Sequence, residues 1–252
     1  MRPDDPRARL SLVPEREARD PAREPLVVDV LAVPTDDAMA TPYVVADPPA
    51  HCISRTDIAA WRKADERARR ASRIADYSAN PRLCRIVAIG TKVSGQERAV
   101  SHLARTVADE RIALDEWWHR VEAADGHVVT WHGSWDLHTI LLRSIKLRVP
   151  ITLAPHWVAG WFLRQSCSAH FDVHAALTRW DSPRADEELA NWAAFLGLAT
   201  EKAADSSDIY SMVQRGEWDA LGACSRQAVA TTDEIYRRIR DYFVPVVGGP
   251  GD

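Results

Sequence analysis

The sequence predicts an α/β fold, with a mixed central sheet flanked by helices and a helical C-terminal half. Apolar runs at residues 26–34, 82–93 and 127–132 have the length and Val/Ile content of buried strands. Amphipathic helical patterns separate these runs, and the pattern from residue 151 onward is mostly helical. Strands that alternate with helices and then give way to helices favour one α/β domain.

The first 93 residues contain the two longest predicted strands. Residues 25–34 form the first strand, and residues 35–54, with several Pro and Asp, should be irregular, although Tyr43–Val45 could form a short strand. Residues 55–77 show apolar positions at helical spacing, and Asn80-Pro81 ends that helix before the second strand at 82–93.

The next segments complete the predicted sheet. Alternation over residues 97–106 is typical of a third, edge-like strand that follows the Ser94-Gly95 turn. The remaining predicted elements are a helix at 109–125, a fourth strand at 127–132, a helix from Trp135 to Leu147 and a long last helix from about Glu217 to Phe243.

Composition sets limits on the class of protein. The 252 residues are 46% hydrophobic and 27% charged, which is ordinary for one globular domain, and the net charge of -4 gives no global attraction to nucleic acid. The four Cys are scattered without a CxxC pair, which disfavours a zinc ribbon or disulfide framework and fits a cytoplasmic protein. The apolar runs are too short to span a bilayer, so no membrane partner is expected.

The domain boundaries follow from the same pattern. Residues 1–24 are rich in Arg, Asp and Pro without an apolar core, which predicts a flexible N-terminal arm rather than a secretory signal. We expect a single domain over residues 25–243 and a flexible tail over 244–252.

Asp29 is the most unusual residue of the first strand. A carboxylate inside an apolar run is costly to bury unless another group compensates it. It could be an ordinary Asp near a strand end that pairs with backbone or Arg, or it could be a ligand for a hard cation such as Mg²⁺.

Asp136 is the second candidate carboxylate. It lies in the first turn of the helix that follows the fourth strand, where the helix dipole by itself favours an acidic residue. If Asp29 and Asp136 converge at one edge of the sheet, they form the minimum of a divalent metal site.

The helix at 55–77 carries a basic stretch, Arg62–Arg73, with six basic and two acidic residues. This pattern fits a solvated helix face, and it also fits a surface that contacts phosphates through residues such as Arg69 and Arg70.

Four motifs in order, the second of them continued by the helix that follows it, resemble the predicted 3′–5′ exonucleases related to the proofreading domain of family B DNA polymerases. The first is Asp29–Pro34, similar to Asp-x-Glu-Thr-Val-Pro, and the second is His132–Asp136, similar to Asn-Gly-x-x-Phe-Asp with a turn one residue shorter. The helix after it and His170–Val173 follow the family pattern, and Ala223–Thr231 stands where the family has Tyr-Cys-x-x-Asp-Val-x-x-Thr. The resemblance spans about residues 25–243.

This resemblance implies a ribonuclease H-like fold within the DEDD exonuclease superfamily. It implies catalytic and metal-binding roles for Asp29 and Asp136, with Mg²⁺ or Mn²⁺ as the cofactor. It further implies that the second motif, with His132, Gly133 and Trp135, contacts nucleic acid.

Three positions depart from the family pattern. Leu31 stands at the first-motif Glu, Gln227 at the third-motif Asp and Ala223 at the third-motif Tyr. The family's two-metal chemistry uses four carboxylates, and this chain keeps two, so we expect one bound ion or none.

Neighbouring residues offer limited replacements. Glu234 is seven residues after Gln227, about 10 Å along a helix, which is too far to take its place. Asp36 and Asp37 could bend back toward the site, and His132 could serve as a ligand for a transition metal or be an ordinary surface residue. A second set, formed by His170, Asp172 and His174, fits either a metal site or a helix-start Asp flanked by ordinary His.

Three functions remain open from the sequence. The first is a nuclease-fold protein with lost or much reduced two-metal catalysis that binds nucleic acid or a partner protein. The second is an active metal-dependent 3′–5′ exonuclease on single-stranded ends with an altered ligand set. The third is a structural subunit of a complex.

Overall fold

A five-stranded mixed sheet forms the centre of the molecule in the computed structural model, which describes residues 24–42, 47–52, 54–161, 169–178, 189–199 and 204–243. The strands are β1 (Leu26–Pro34), β2 (Cys84–Val93), β3 (Val100–Leu103), β4 (Val128–Thr130) and β5 (His170–Asp172). Their order is β3-β2-β1-β4-β5, so the predicted edge position of the third strand is confirmed.

Helices cover both faces of this sheet. Within the described residues they are α1 (Asp36–Ala40), α2 (Arg55–Ser78), α3 (Val107–Ala123), α4 (Gly133–Leu147), α5 (Pro155–Trp161), α6 (Val173–Leu177), α7 (Leu189–Phe195), α8 (Ser206–Arg215) and α9 (Trp218–Phe243). The predicted α/β class, the mixed sheet and the helical C-terminal half are confirmed. No helix in the described ranges is long and apolar enough to cross a membrane.

β1 is the central strand because it pairs on both sides. It runs antiparallel to β2 along its whole length, with Asp29 opposite Gly90, and parallel to β4, whose last residue, Thr130, pairs with Val28. β4 therefore ends one residue before Asp29, and α4 begins beside the part of β1 that β4 leaves unpaired.

The two faces of β1 have different partners. Val28 and Val30 pack into a core with Trp117 and Trp118 of α3 and with α4. On the other face, Val27 packs with α9, whereas Leu31 and Val33 pack with α2 and α8. Because side chains alternate along a strand, Asp29 lies on this second face, between two apolar clusters.

Several local features differ from the predicted elements. α1 occupies part of the segment that we expected to be irregular, because Thr35 caps it by accepting a hydrogen bond from the Ala38 N–H. β5 lies in the stretch read as mostly helical, and α4 begins two residues earlier than predicted. The suggested strand at 43–45, residues 1–23 of the arm and the tail at 244–252 lie outside the described residues, and the domain boundaries stay predictions.

Candidate functional site

Asp29 places a carboxylate in the middle of the sheet. The residue is half-buried, and its Oδ2 atom is inaccessible to solvent and has no hydrogen-bond partner among the residues that the structure describes. Burial raises the pKa of this carboxyl to about 7. A buried carboxylate oxygen without a donor is costly, so this atom marks a place where a proton or a cation would stabilise the protein.

Asp136 is close enough to Asp29 for the two carboxyls to interact electrostatically, which is the condition that the sequence analysis set for a shared site. Its carboxyl is almost fully buried, and it accepts hydrogen bonds from the backbone N–H groups of Val30 on β1 and of His132, the latter at 3.3 Å. Burial first, and then the charge of Asp29, raise its pKa well above the usual range. Asp172 raises it further, and the two backbone donors oppose these effects only in part. The two carboxyls therefore share a site that disfavours two uncompensated negative charges.

Asp172 holds the start of α4 in place. Its Oδ2 accepts the Gly133 N–H at 2.9 Å and its Oδ1 accepts the Ala175 N–H at 2.8 Å, so one carboxylate caps both α4 and α6. The interpretation of Asp172 as a helix-start residue is confirmed. Both of its oxygens already accept backbone donors, and it therefore orients Asp136 rather than adding an unpaired oxygen to the site.

His170 is a buried anchor beneath the second motif. Its Nδ1 lies 3.2 Å from the Trp161 carbonyl oxygen, which can only accept, so Nδ1 carries the proton and Nε2 accepts from the Thr130 hydroxyl at 2.9 Å. Burial lowers the pKa of this imidazole. His170 is in β5 and His174 is in α6, so the two are not on one helix face, as a continuous helix would have placed them.

The other residues of the second motif have different surroundings. His132 is exposed, and its ring meets that of His174 edge-on with centroids 5.2 Å apart. Trp135 donates its indole N–H to the carbonyl of Ala79 at the end of α2, at 2.9 Å, and thereby joins α4 to α2. Gly133 is required by space, because a Cβ at this position would collide with the His170 ring and with Thr130 Oγ1. Their proposed contacts with nucleic acid stay predictions.

The predicted basic residues of α2 lie on different parts of its surface. Arg69 donates to Asp65 one turn earlier at 2.8 Å, so part of its charge is compensated. Arg70 is exposed and lines a groove between α2 and α8. Sequence reasoning could not separate these two roles, because both residues belong to one basic run.

The three degenerate positions provide no carboxylate near Asp29. Leu31 packs with the apolar cluster under α2 and α8. On α9, Gln227 is half-buried and Ala223 is exposed. Asp36 and Asp37 are exposed in the first turn of α1, and Glu234 is exposed on α9.

α9 passes close to the sheet at Gly90, the residue of β2 that pairs with Asp29. A Cβ on Gly90, the residue paired with Asp29, would lie 2.7 Å from Ser225 Oγ and 2.8 Å from the Ser225 carbonyl oxygen. Ser225 is fully buried, and its hydroxyl has no hydrogen-bond partner within the described part of the chain. The sequence alone did not single out Ser225, although its position in the third-motif segment and a Gly on the facing strand were available signals.

The model of one protein family matches residues 76–243, about two-thirds of the chain. That family is described as predicted 3′–5′ exonuclease related to the exonuclease domain of PolB. This chain belongs to that family. No curated protein matches the chain.

The family match confirms the resemblance read from the motifs. The mixed sheet with flanking helices agrees with the ribonuclease H-like fold of such exonucleases. The matched range includes Asp136, Ala223 and Gln227 but begins in α2, after Asp29 and Leu31. The match therefore does not test Asp29, whose catalytic and metal-binding role stays a prediction.

The donor set decides what metal chemistry this family member can host. Within the described ranges, no three side chains from His, Cys, Asp or Glu are grouped to hold a metal ion. The unpaired Asp29 Oδ2 and the Asp136 carboxyl fit one Mg²⁺ or Mn²⁺ that keeps several water ligands. Two carboxylates do not fit the pair of ions that phosphodiester cleavage by two metals requires.

Proposed function

We propose that this protein is a 3′–5′ exonuclease-fold protein that binds the 3′ end of single-stranded nucleic acid, with two-metal catalysis lost or much reduced. The observation that carries the proposal is the isolated carboxylate pair of Asp29 and Asp136, one with an unpaired buried oxygen and neither joined by a third metal-ligating side chain in the described residues. The fold and family supply the nuclease scaffold.

Asp29 and Asp136 would hold a single Mg²⁺ or Mn²⁺. A bound ion of this kind neutralises phosphate charge and orients a substrate phosphate. Asp29 presents its unpaired oxygen from β1, and Asp136 is fixed by the Val30 and His132 N–H groups. Asp172 keeps the start of α4 at the correct distance by capping Gly133.

The missing groups predict a large loss of rate. Leu31 has no ligating atom, and Gln227 offers a neutral carbonyl oxygen in place of a charged one. Removal of one electrostatic stabiliser of a transition state typically costs about 10²–10³ in rate, so two losses support weak cleavage or none.

Calorimetric titration with Mn²⁺ and Mg²⁺ tests the metal part of this proposal. We expect one ion per chain for the wild-type protein and no binding for Asp29→Asn, because the variant lacks the unpaired charged oxygen. Asp36→Asn is the matched control, since Asp36 is exposed on α1, and it should bind like the wild-type protein.

A nuclease assay on 5′-labelled single strands tests the catalytic part with the same protein. We expect shortening that is very slow or below detection with either ion. Rapid 3′ shortening that needs Mn²⁺ or Mg²⁺ and disappears in Asp29→Asn would contradict the proposed loss and identify an active exonuclease with an altered ligand set. Absence of divalent binding by the wild-type protein would remove the metal site from the proposal.

A further inference from the structure

A basic groove runs between α2 and α8 on the face of the sheet that also holds Asp29. It encloses about 340 Å³, with Arg67 and Arg70 on one wall and Ser207, Ser211 and Gln214 on the other. The spacing of three and four residues on each helix turns these side chains toward each other. None of the nine lining residues is acidic, although the chain as a whole has a net charge of -4.

We propose that this groove binds the phosphate backbone of the single-stranded nucleic acid; the inference rests on the nucleic-acid binding proposed above and assigns its path. Arginine guanidinium groups and serine hydroxyls are suitable donors to phosphate oxygens. A groove of this kind follows the backbone without reading the sequence.

The positive charge of the groove comes mainly from Arg67 and Arg70. Both are exposed, and neither has a hydrogen-bond or ion-pair partner among the residues that the structure describes. Arg215, at the end of the groove, is bound by both carboxylate oxygens of Glu217 at 2.6 and 2.8 Å, which compensates its charge.

The floor of the groove connects it to the carboxylate pair. Ile74 and Tyr210 line the groove and pack in one cluster with Val33 and Leu31 of β1. Val33 lies four residues beyond Asp29, about 13 Å along the strand. A single-stranded nucleic acid whose 3′ end lies at Asp29 would thus place phosphates in the groove a few nucleotides from that end.

α2 also offers a matched control surface. Arg62 and Lys63 line a separate concavity with Arg55 and Glu66, and all of its described lining residues belong to α2. The double variants Arg67→Glu/Arg70→Glu and Arg62→Glu/Lys63→Glu change the net charge equally on the same helix. If the nucleic acid binds in the groove, the two double variants should therefore differ in their affinity for it.

Fluorescence anisotropy with labelled single strands of about 12 nucleotides tests the groove. DNA and RNA oligonucleotides are compared in EDTA, so that neither divalent binding nor cleavage at Asp29 and Asp136 contributes. We expect Arg67→Glu/Arg70→Glu to weaken binding roughly tenfold or more, and to reduce the slope of log K against log salt by about 1.4, the value for two lost phosphate contacts on a single strand. Arg62→Glu/Lys63→Glu should weaken binding much less.

The outcomes separate the groove from the proposed function. An equal loss of affinity in both double variants, or an unchanged affinity of Arg67→Glu/Arg70→Glu, overturns the proposal that the groove binds the phosphate backbone. Either result leaves the proposal of nucleic-acid binding by the protein intact. Failure of the wild-type protein to bind either oligonucleotide in EDTA overturns this inference, and failure to bind with Mg²⁺ present as well contradicts the proposed function. The milder pair Arg67→Gln/Arg70→Gln serves as a second variant and should show the same reduced salt slope.

Discussion

Asp29 is the residue at which local energetics and function conflict. Burial of the apolar side chains of β1 between β2 and β4 stabilises the protein. Burial of the Asp29 carboxylate in the same strand costs free energy. Its raised pKa means that the folded protein keeps a proton that the unfolded chain would release. A residue of this kind reduces stability near neutral pH unless a cation occupies the site.

Asp29→Asn should therefore alter the pH dependence of stability. The pKa of Asp29 is about 7 in the folded protein against 3.8 for the ordinary carboxyl, so the folded state binds more protons between these values. The free energy of unfolding then falls as pH rises from about 4 through 7. The amide does not titrate, and we expect the variant to melt roughly 5 °C higher than the wild-type protein at pH 8 in EDTA.

Thermal unfolding from pH 5 to pH 8 measures this effect. Asp36→Asn should follow the wild-type profile, because Asp36 is exposed. Parallel profiles for Asp29→Asn and the wild-type protein would show that Asp29 keeps no extra proton in the folded state.

Gly133 is the second residue whose identity the structure explains. A methyl group here would occupy the space of the His170 imidazole and the Thr130 hydroxyl, which are hydrogen-bonded to each other. Gly133→Ala should lower the free energy of unfolding by about 1–3 kcal/mol, as expected for overpacking, in chemical denaturation.

Gly160→Ala provides the comparison for that measurement. Gly160 lies in α5 with open space around its Cα, so its replacement should leave stability unchanged or slightly raise it. Similar effects of the two substitutions would contradict the tight contact at Gly133.

Among the helices and strands, a buried ion pair joins α3 to α4, and a hydrogen bond that its carboxylate accepts from the backbone joins both to β2. Arg143 of α4 donates to both oxygens of Glu110 on α3 at 2.7 Å, and Glu110 also accepts the Ile86 N–H of β2 at 2.8 Å. Both side chains are almost fully inaccessible. This bidentate arrangement fixes α4, and with it Asp136, against the sheet.

Arg143→Met should be strongly destabilising because it leaves the Glu110 carboxylate buried without its partner. We expect a loss of about 3–5 kcal/mol in the free energy of unfolding. The same substitution at Arg215, whose pair with Glu217 is exposed and screened by solvent, should leave the free energy of unfolding almost unchanged. Equal losses in chemical denaturation would mean that the buried pair does not hold α4.

α9 is fixed by a second buried carboxylate. Asp233 is fully buried and accepts hydrogen bonds from Lys92 Nζ at 2.7 Å and from Ser94 Oγ at 2.6 Å. These bonds tie the middle of α9 to the end of β2 and the turn that follows. They set the position of the helix where Ser225 passes over Gly90.

For the whole molecule, strand order brings distant residues together. β4 pairs with β1 only up to Val28, so α4 starts beside Asp29 and supplies Asp136 there. The same face of the sheet continues from Asp29 to Val33, under the α2–α8 groove. One side of β1 thus holds both Asp29 and the basic surface.

Local pattern predicted the long elements and also β3 and β4, which lie inside longer alternating or apolar runs, but it did not predict β5. β1, β2, α2 and α9 each extend over nine residues or more, so their periodicity is clear in the sequence. β5 has three residues, His170–Asp172, too few for any alternation to show. The start of α4 was missed because its cap, Asp172, is 39 residues away along the chain.

The sequence by itself determined the α/β class, the family and the two candidate carboxylates, because each depends on a local run of residues. Only the tertiary structure decided that Asp29 and Asp136 interact electrostatically, that Asp172 caps α4, and that Arg70 rather than Arg69 lines the groove. The physical reason is that burial, charge interaction and hydrogen-bond satisfaction depend on neighbours that the fold supplies from distant parts of the chain.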